Sequence, residues 1–386
     1  MPTTPLKNLV YRIRLPLEAP RVVFAADKPD TGNLHSSKEL LRILREEHVL
    51  GASVLLKDGS HAETYIFPTV NPDHPVNRDS VYRIASITKT VTATAALVLV
   101  DRGLLDPEAP VSSLLPDASD LSSLRGITLK HLLSHTSSLR DTQSFYKALE
   151  SGETYRSFLS DRTVRAGEPG TSFHYCNAAF GLIGSLIETV TGDDIDTAVH
   201  NLVLTPLGMN GTLYGYRLPE ERIMPMTRVL PYRKGGEMRV TEIGRRCING
   251  PDPMRHFGFT AGSLYTDPAS LSLLLDSISG EGTRILSDRT LKMMTTVQSV
   301  YGKSSPTLSY GLGLLFINDP RISDSRLIGH QGFAYGCGNG AFYEESTGRQ
   351  IVFLNGGCSE AREGHMGRCN RRILSWAFRK EFDVWR

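Results

Sequence analysis

Two side chains carry the clearest chemistry in this sequence. Ser86 and Lys89 stand three residues apart in "YRIASITKTVTATAALVLVDRGLLD" (82–106), at the head of a long apolar run. On a helix that spacing puts both on one face, within reach of each other. Ser86 would occupy the first turn, where open backbone N–H groups and the helix dipole favour developing negative charge. A serine hydroxyl becomes a useful nucleophile only when a base takes its proton. A lysine can be that base once burial and neighbouring positive charge lower its pKa.

Spacing alone does not single out this pair, because Ser-x-x-Lys arises by chance about once or twice in a chain of this length. A second copy, Ser144-Phe-Tyr-Lys147, lies in a short polar helix and reads as a solvated face. Two further groups favour the first copy. The chain's only Tyr-x-Asn, Tyr175-Cys176-Asn177, sits where a turn enters an apolar helix, "NAAFGLIGSLIETVTG". There the Tyr175 phenol can share the Ser86 proton with Lys89 and protonate a leaving group. The Asn177 amide can hold Lys89 or a substrate carbonyl, or serve as a helix cap. In "RLIGHQGFAYGCGNGAFY" a strand runs into His330-Gln331-Gly332 and a Gly-rich turn. Gly332 would let a substrate approach the strand. The backbone N–H groups of Phe333 and Ser86 would then form a two-donor oxyanion hole. His-x-Gly recurs at His256 and His365, where no convincing strand precedes it.

The surrounding elements set where these groups can meet. "SSKELLRILREEH" (36–48) reads as an amphipathic helix with a serine cap signal, and "VLGASVLLKDG" with "AETYIF" as a hairpin. Residues 108–225 are mostly helical segments, among them "TLKHLLSHTSSL" and "DIDTAVHNLVLTPLGM". "TDPASLSLLLDSIS" is a helix with proline near its first turn. Strands return in "YGLGLLFI", "RLIGH", "GAFYEE" and "RQIVFLNGG", before a last helix, "RCNRRILSWAFRKEF". The expected class is α+β: an antiparallel sheet built from N- and C-terminal strands, flanked by helices, with a mostly helical subdomain inserted. Residues 1–35 form an N-terminal extension to a catalytic domain at 36–386. Within that domain, 36–107 and 226–386 carry the sheet and 108–225 the helical subdomain.

Composition narrows the function classes. The 386 residues are 40% hydrophobic and 22% charged, and 43 basic against 41 acidic residues leave a net charge of +2. That balance calls for neither nucleic acid nor an anionic membrane as partner. No apolar run is long enough to span a bilayer. The opening "MPTTPLKNLVYRIRLPLEAPRVVF" lacks the apolar core of a signal peptide, so the expected location is cytoplasmic if this is the native start. Five scattered cysteines fit reduced thiols rather than a disulfide framework. His365 and Cys369 share a helical spacing, but a lone pair makes a poor metal site.

Together and in this order, the three groups resemble the serine β-lactamase and penicillin-binding protein superfamily, in its class C β-lactamase-like branch. That branch includes D,D-peptidases, D-aminopeptidases, esterases and acyltransferases. "LKHLLSHTSSL", "LTPLGM", "AGSLYTDPASLSLLL" and "YGLGLLF" fit it too, so the resemblance runs over about residues 36–380. It implies Ser86 as the acylated nucleophile, Lys89 as its proton acceptor and Tyr175 as the acid–base partner. Asn177, His330, Gly332 and Phe333 would contact substrate. No metal or organic cofactor is implied. Many relatives carry Lys-Thr-Gly or His-Thr-Gly where this chain has His330-Gln331-Gly332. With no fixed cation or hydroxyl there, the expectation moves from free-carboxylate substrates towards neutral esters, amides or lactones. The leading reading is a serine hydrolase acting on a small ester, amide or peptide. An acyltransferase using the same acyl-enzyme and a non-catalytic ligand sensor are the alternatives. They differ in water access, for which "YRKGGEMRVTEIGRRCINGPDPMRHFG" is the candidate lid. Oligomeric state is not legible.

Overall fold

The computed structural model describes residues 5–19, 21–24, 37–69, 76–230, 232–233, 250–303, 305–379 and 385. Its centre is an antiparallel sheet of eight strands. In chain order they are β1 (Ala52–Asp58), β2 (His61–Phe67), β3 (Ser299–Val300), β4 (Leu308–Tyr310), β5 (Leu315–Ile317), β6 (Leu327–Ala334), β7 (Cys337–Glu344) and β8 (Gln350–Asn355). The spatial order is β2-β1-β8-β7-β6-β5-β4-β3, so β1 pairs with β8 and joins the two ends of the chain. The α+β architecture expected from the sequence is the one observed.

The strand sequences explain why both faces are covered. In β8, Ile351 and Phe353 enter one apolar cluster while Val352 and Leu354 enter another. Val54 and Leu56 divide from Leu55 in the same way on β1. Strands with apolar residues on both faces need a layer on each side. On one side lie α1 (Ser37–Glu46) and α5 (Arg368–Phe378), contributing Leu40, Leu44, Ile373 and Trp376. Glu47 beside them is fully buried and held by Arg368 at 2.9 Å and Arg372 at 2.8 Å. On the other side lie α2 (Thr88–Asp101), α3 (Asn177–Thr191) and α4 (Pro268–Ser279). Helix α2 is buried along nearly its whole length, as an all-round apolar helix must be.

Three local readings change. "YGLGLLFI" is a hairpin, not one strand: β4 and β5 pair around a turn at residues 311–314. Gly313 has φ +74°, and a Cβ there would stand 2.3 Å from that of Ala93 on α2. The turn is therefore a contact with the nucleophile's helix. In "TLKHLLSHTSSL" the helix ends at Leu133, because His135 and Ser138 adopt left-handed backbone angles. A helix over Pro5–Glu18 had no counterpart in the sequence reading. Most of the candidate lid, 234–249, and Cys247 lie outside the described residues. No described helix is long and apolar enough to cross a membrane.

Candidate active site

The nucleophile turn is set by a backbone feature. Ala85 has φ +51°, which is costly for a residue with a side chain and turns the chain sharply before Ser86. A single 3₁₀ turn at Ala85–Ile87 then leads directly into α2, so Ser86 lies at the helix head and Lys89 in its first turn. Strand β6 runs against this turn. A Cβ on Gly332 would fall 2.1 Å from the carbonyl oxygen of Ile84. Glycine is needed there for the strand to reach the nucleophile turn.

Lys89 is fully buried. Its Nζ lies 3.1 Å from Ser86 Oγ, 2.8 Å from Asn177 Oδ1 and 2.6 Å from the Ala261 carbonyl oxygen. A neutral amine has two N–H donors and one lone pair. Asn177 and Ala261 can take the two hydrogens, which leaves the lone pair facing the Ser86 hydroxyl. Burial pushes the Lys89 pKa down to about 7, with Asp141 opposing and the charge of Arg83 assisting. Near neutrality a large share of this amine is unprotonated.

Tyr175 lines the cavity beside Ser86, and its ring centre lies 5.0 Å from Lys89 Nζ. The residue is 37% exposed, into the cavity above Ser86. Burial of the phenol raises its pKa, so Tyr175 stays protonated and can relay a proton without becoming a standing phenolate. Asn177 is the first residue of α3. Its Nδ2 donates to Asp141 at 2.7 Å, which fixes the amide with its oxygen towards Lys89. Asp141 also accepts the backbone N–H groups of Asn177 (3.0 Å) and Ala178 (2.9 Å), capping α3 from a distant loop.

His330 is buried, with both ring nitrogens engaged. Nδ1–H donates to the Gln331 carbonyl at 2.6 Å, and Nε2 accepts from the Tyr310 hydroxyl at 2.9 Å. Burial and the charge of Lys89 push its pKa down to about 3, so it is a neutral wall of the site. Gln331 explains its own departure from the family pattern. Its amide donates to the carbonyl of His365 (2.6 Å) and accepts from the N–H of Gly367 (3.2 Å). It thereby ties down the small hairpin of Arg362–Glu363 and Met366–Gly367. Phe333, on the cavity rim, packs under the Arg362 guanidinium at 4.7 Å.

These groups line a cavity of about 640 Å³ that opens above Ser86. Tyr175, Asn177, His330, Phe333 and Arg362 are among its walls. A second space of about 280 Å³ adjoins it and shares Ser86, Tyr146, Asn177 and Phe333. Sequence reading gave no individual role to Asp141, Tyr146, Arg362 or the Ala261 carbonyl, none of which carries a local signal. Arg362 supplies a cation to a site expected to have none. The Ser144 pair differs: Ser144 bonds Asp161 at 2.7 Å and Lys147 is exposed. His256 of the second His-x-Gly is buried against Glu188 at 2.7 Å. Among the described residues no group of side chains could hold a metal ion, and Cys176, Cys337, Cys358 and Cys369 are buried free thiols.

The sequence model of the beta-lactamase family matches residues 38–356. The chain belongs to the beta-lactamase family. Among curated proteins it is similar to esterase EstB of Burkholderia gladioli, 31% identical over 204 residues, 47% of this chain and 51% of that protein. It is also similar to penicillin-binding protein 4 of Amycolatopsis lactamdurans, 27% identical over 242 residues, 57% of each chain. The matched stretches thus span little more than half of these relatives. A solved structure of the D-amino acid amidase of Ochrobactrum anthropi SV3 has the same fold, with a TM-score of 0.69 at 22% identity over 88% of this chain and 97% of that one.

Proposed function

We propose that this beta-lactamase-family protein is a serine hydrolase that cleaves small esters, amides or peptides through an acyl-enzyme on Ser86. The observation that carries this reading is the buried Lys89 amine, 3.1 Å from Ser86 Oγ and poised near neutrality. Lys89 takes the serine proton as Oγ forms a bond to the substrate carbonyl carbon. The oxyanion is held by the backbone N–H groups of Ser86 and Phe333. The proton passes through Tyr175 to the leaving group as its bond to the carbonyl carbon breaks. Water then attacks the Ser86 ester, and the same groups return the proton to Oγ.

The likeness to an esterase and to an amidase supports small carbonyl substrates, and a cavity of about 640 Å³ has room for one. The test is hydrolysis of activated esters and D-amino-acid amides by wild type, Ser86→Ala and Tyr175→Phe. Ser86→Ala should lose acylation. Tyr175→Phe should lose about 10²–10⁴ in kcat, the span of general acid–base catalysis. Wild-type turnover by Ser86→Ala on every substrate would end the proposal.

A further inference from the structure

The two spaces around Ser86 differ in kind. Tyr175, the leaving-group acid in the reading above, lines only the larger one. A leaving group that takes its proton must lie there, so the acyl part extends into the smaller space. That space has apolar walls from Phe145, Leu149, Ala261 and Tyr335. Among the described residues that line it there is no carboxylate, yet two arginines face it. Arg228 is paired with Glu360 at 2.9 Å. Arg83 is different.

Arg83 lies three residues before the nucleophile and is 8% exposed. Its Nε and Nη1 are buried and have no hydrogen-bond partner among the described residues. Its guanidinium carbon lies 5.3 Å from the ring centre of Tyr335. A guanidinium cannot shed its charge to escape burial, and a buried charge without a partner is costly. A carboxylate beside this cation would offset its charge and accept a hydrogen bond from an unpartnered nitrogen such as Nη1.

We propose that Arg83 recognises a carboxylate at the far end of the acyl group, so that the preferred donors are monoesters or monoamides of short dicarboxylic acids. The proposal rests on Ser86 being the nucleophile. It deepens the substrate class and reverses the expectation of a wholly neutral substrate. The free carboxylate docks on Arg83 in the 280 Å³ space and the reacting carbonyl lies at Ser86. The leaving alcohol or amine occupies the larger cavity.

The test compares the para-nitrophenyl monoester of glutaric acid, which keeps one free carboxylate, with the same compound methylated at that carboxylate. Wild type should favour the anionic ester in kcat/KM by at least about tenfold. In Arg83→Gln this preference should shrink by about 10–100-fold, the scale of a lost hydrogen bond to a charged group. Arg83→Lys should retain part of it. The ratio is taken within each variant, so any change in Lys89 caused by losing the Arg83 charge cancels. A wild type that labels Ser86 and cleaves the methyl ester with no preference for the anion overturns the Arg83 assignment and leaves the nucleophile standing. So does an unchanged ratio in Arg83→Gln.

If Arg83→Gln fails to fold, protection of wild-type Ser86 from a fluorophosphonate replaces it. Glutarate should protect and glutaramide should not; equal protection, or none, overturns the assignment. A wild type that never labels Ser86 sinks the nucleophile reading instead. Calorimetric titration of glutarate then decides on Arg83: binding to wild type that is weakened in Arg83→Lys and lost in Arg83→Gln supports it, and no binding, or binding unchanged in Arg83→Gln, overturns it.

Discussion

Replacing Lys89 with methionine tests the buried base through stability as well as activity. In the unfolded chain the amine titrates near its ordinary 10.5; in the folded chain it titrates at about 7. Between those values the unfolded state holds a proton that the folded state lacks, so stability rises with pH across that window. Below about pH 7 the full penalty is present. The whole difference amounts to about 5 kcal/mol, of which about 4 kcal/mol should appear between about pH 6 and pH 10. Methionine has a similar length and no charge, so Lys89→Met removes this dependence. It also leaves Asn177 Oδ1 and the Ala261 carbonyl without their donor, at about 1–3 kcal/mol each, but that cost does not vary with pH. The assay is urea denaturation of both proteins across the range, read as the wild-type minus variant difference at each pH. Other titrating groups common to both cancel. A difference that climbs by several kcal/mol from pH 6 to pH 10 is expected, together with an inactive variant. A flat difference would mean that Lys89 is an ordinary ammonium and could not act as the base.

Further predictions concern the site's supports. The acid limb of kcat/KM for ester cleavage should titrate near pH 7, rising with pH as Lys89 loses its proton; a limb governed by a group near 4 would point to a carboxylate base. Asp141→Ala removes the cap of α3 and the anchor of Asn177, and should cost about 1–2 kcal/mol in denaturation with a larger proportional loss of kcat. Gly332→Ala forces a Cβ onto the Ile84 carbonyl, so β6 must move away from the nucleophile turn. About 1–3 kcal/mol of stability and about 10²-fold of activity should be lost, read by melting and kinetics. Ser144→Ala should keep activity within about twofold of wild type, because its hydroxyl bonds only local partners.

Much of the architecture was legible because it is written in local pattern. Alternation and continuous apolar runs mark β1, β2 and β6 to β8, and the Ser86 helix announces itself by composition. The gathering of Ser86, Lys89, Tyr175 and Asn177 was also visible as motif order, though their contact spans 88 residues between Lys89 and Asn177. Groups whose meaning is long-range were not visible. Asp141 follows an unremarkable turn, and only the folded chain brings it to the start of α3. Arg83 stands inside the stretch that drew attention first, yet nothing local says that its guanidinium is enclosed without a partner. Arg362 reaches the cavity because Gln331 pins its hairpin. The split of "YGLGLLFI" into β4 and β5 follows from a glycine turn pressed against α2, a contact that alternation cannot encode.

The central claim is that Ser86 is the nucleophile, and covalent capture tests it most directly. The protein is treated with a fluorophosphonate, its intact mass is measured and the modified peptide is mapped, with Lys89→Met as the control for activation. The account predicts one adduct per chain, on Ser86, forming far more slowly in the control. An adduct on Ser144 or elsewhere, or no adduct under conditions that label an active serine hydrolase, would contradict it.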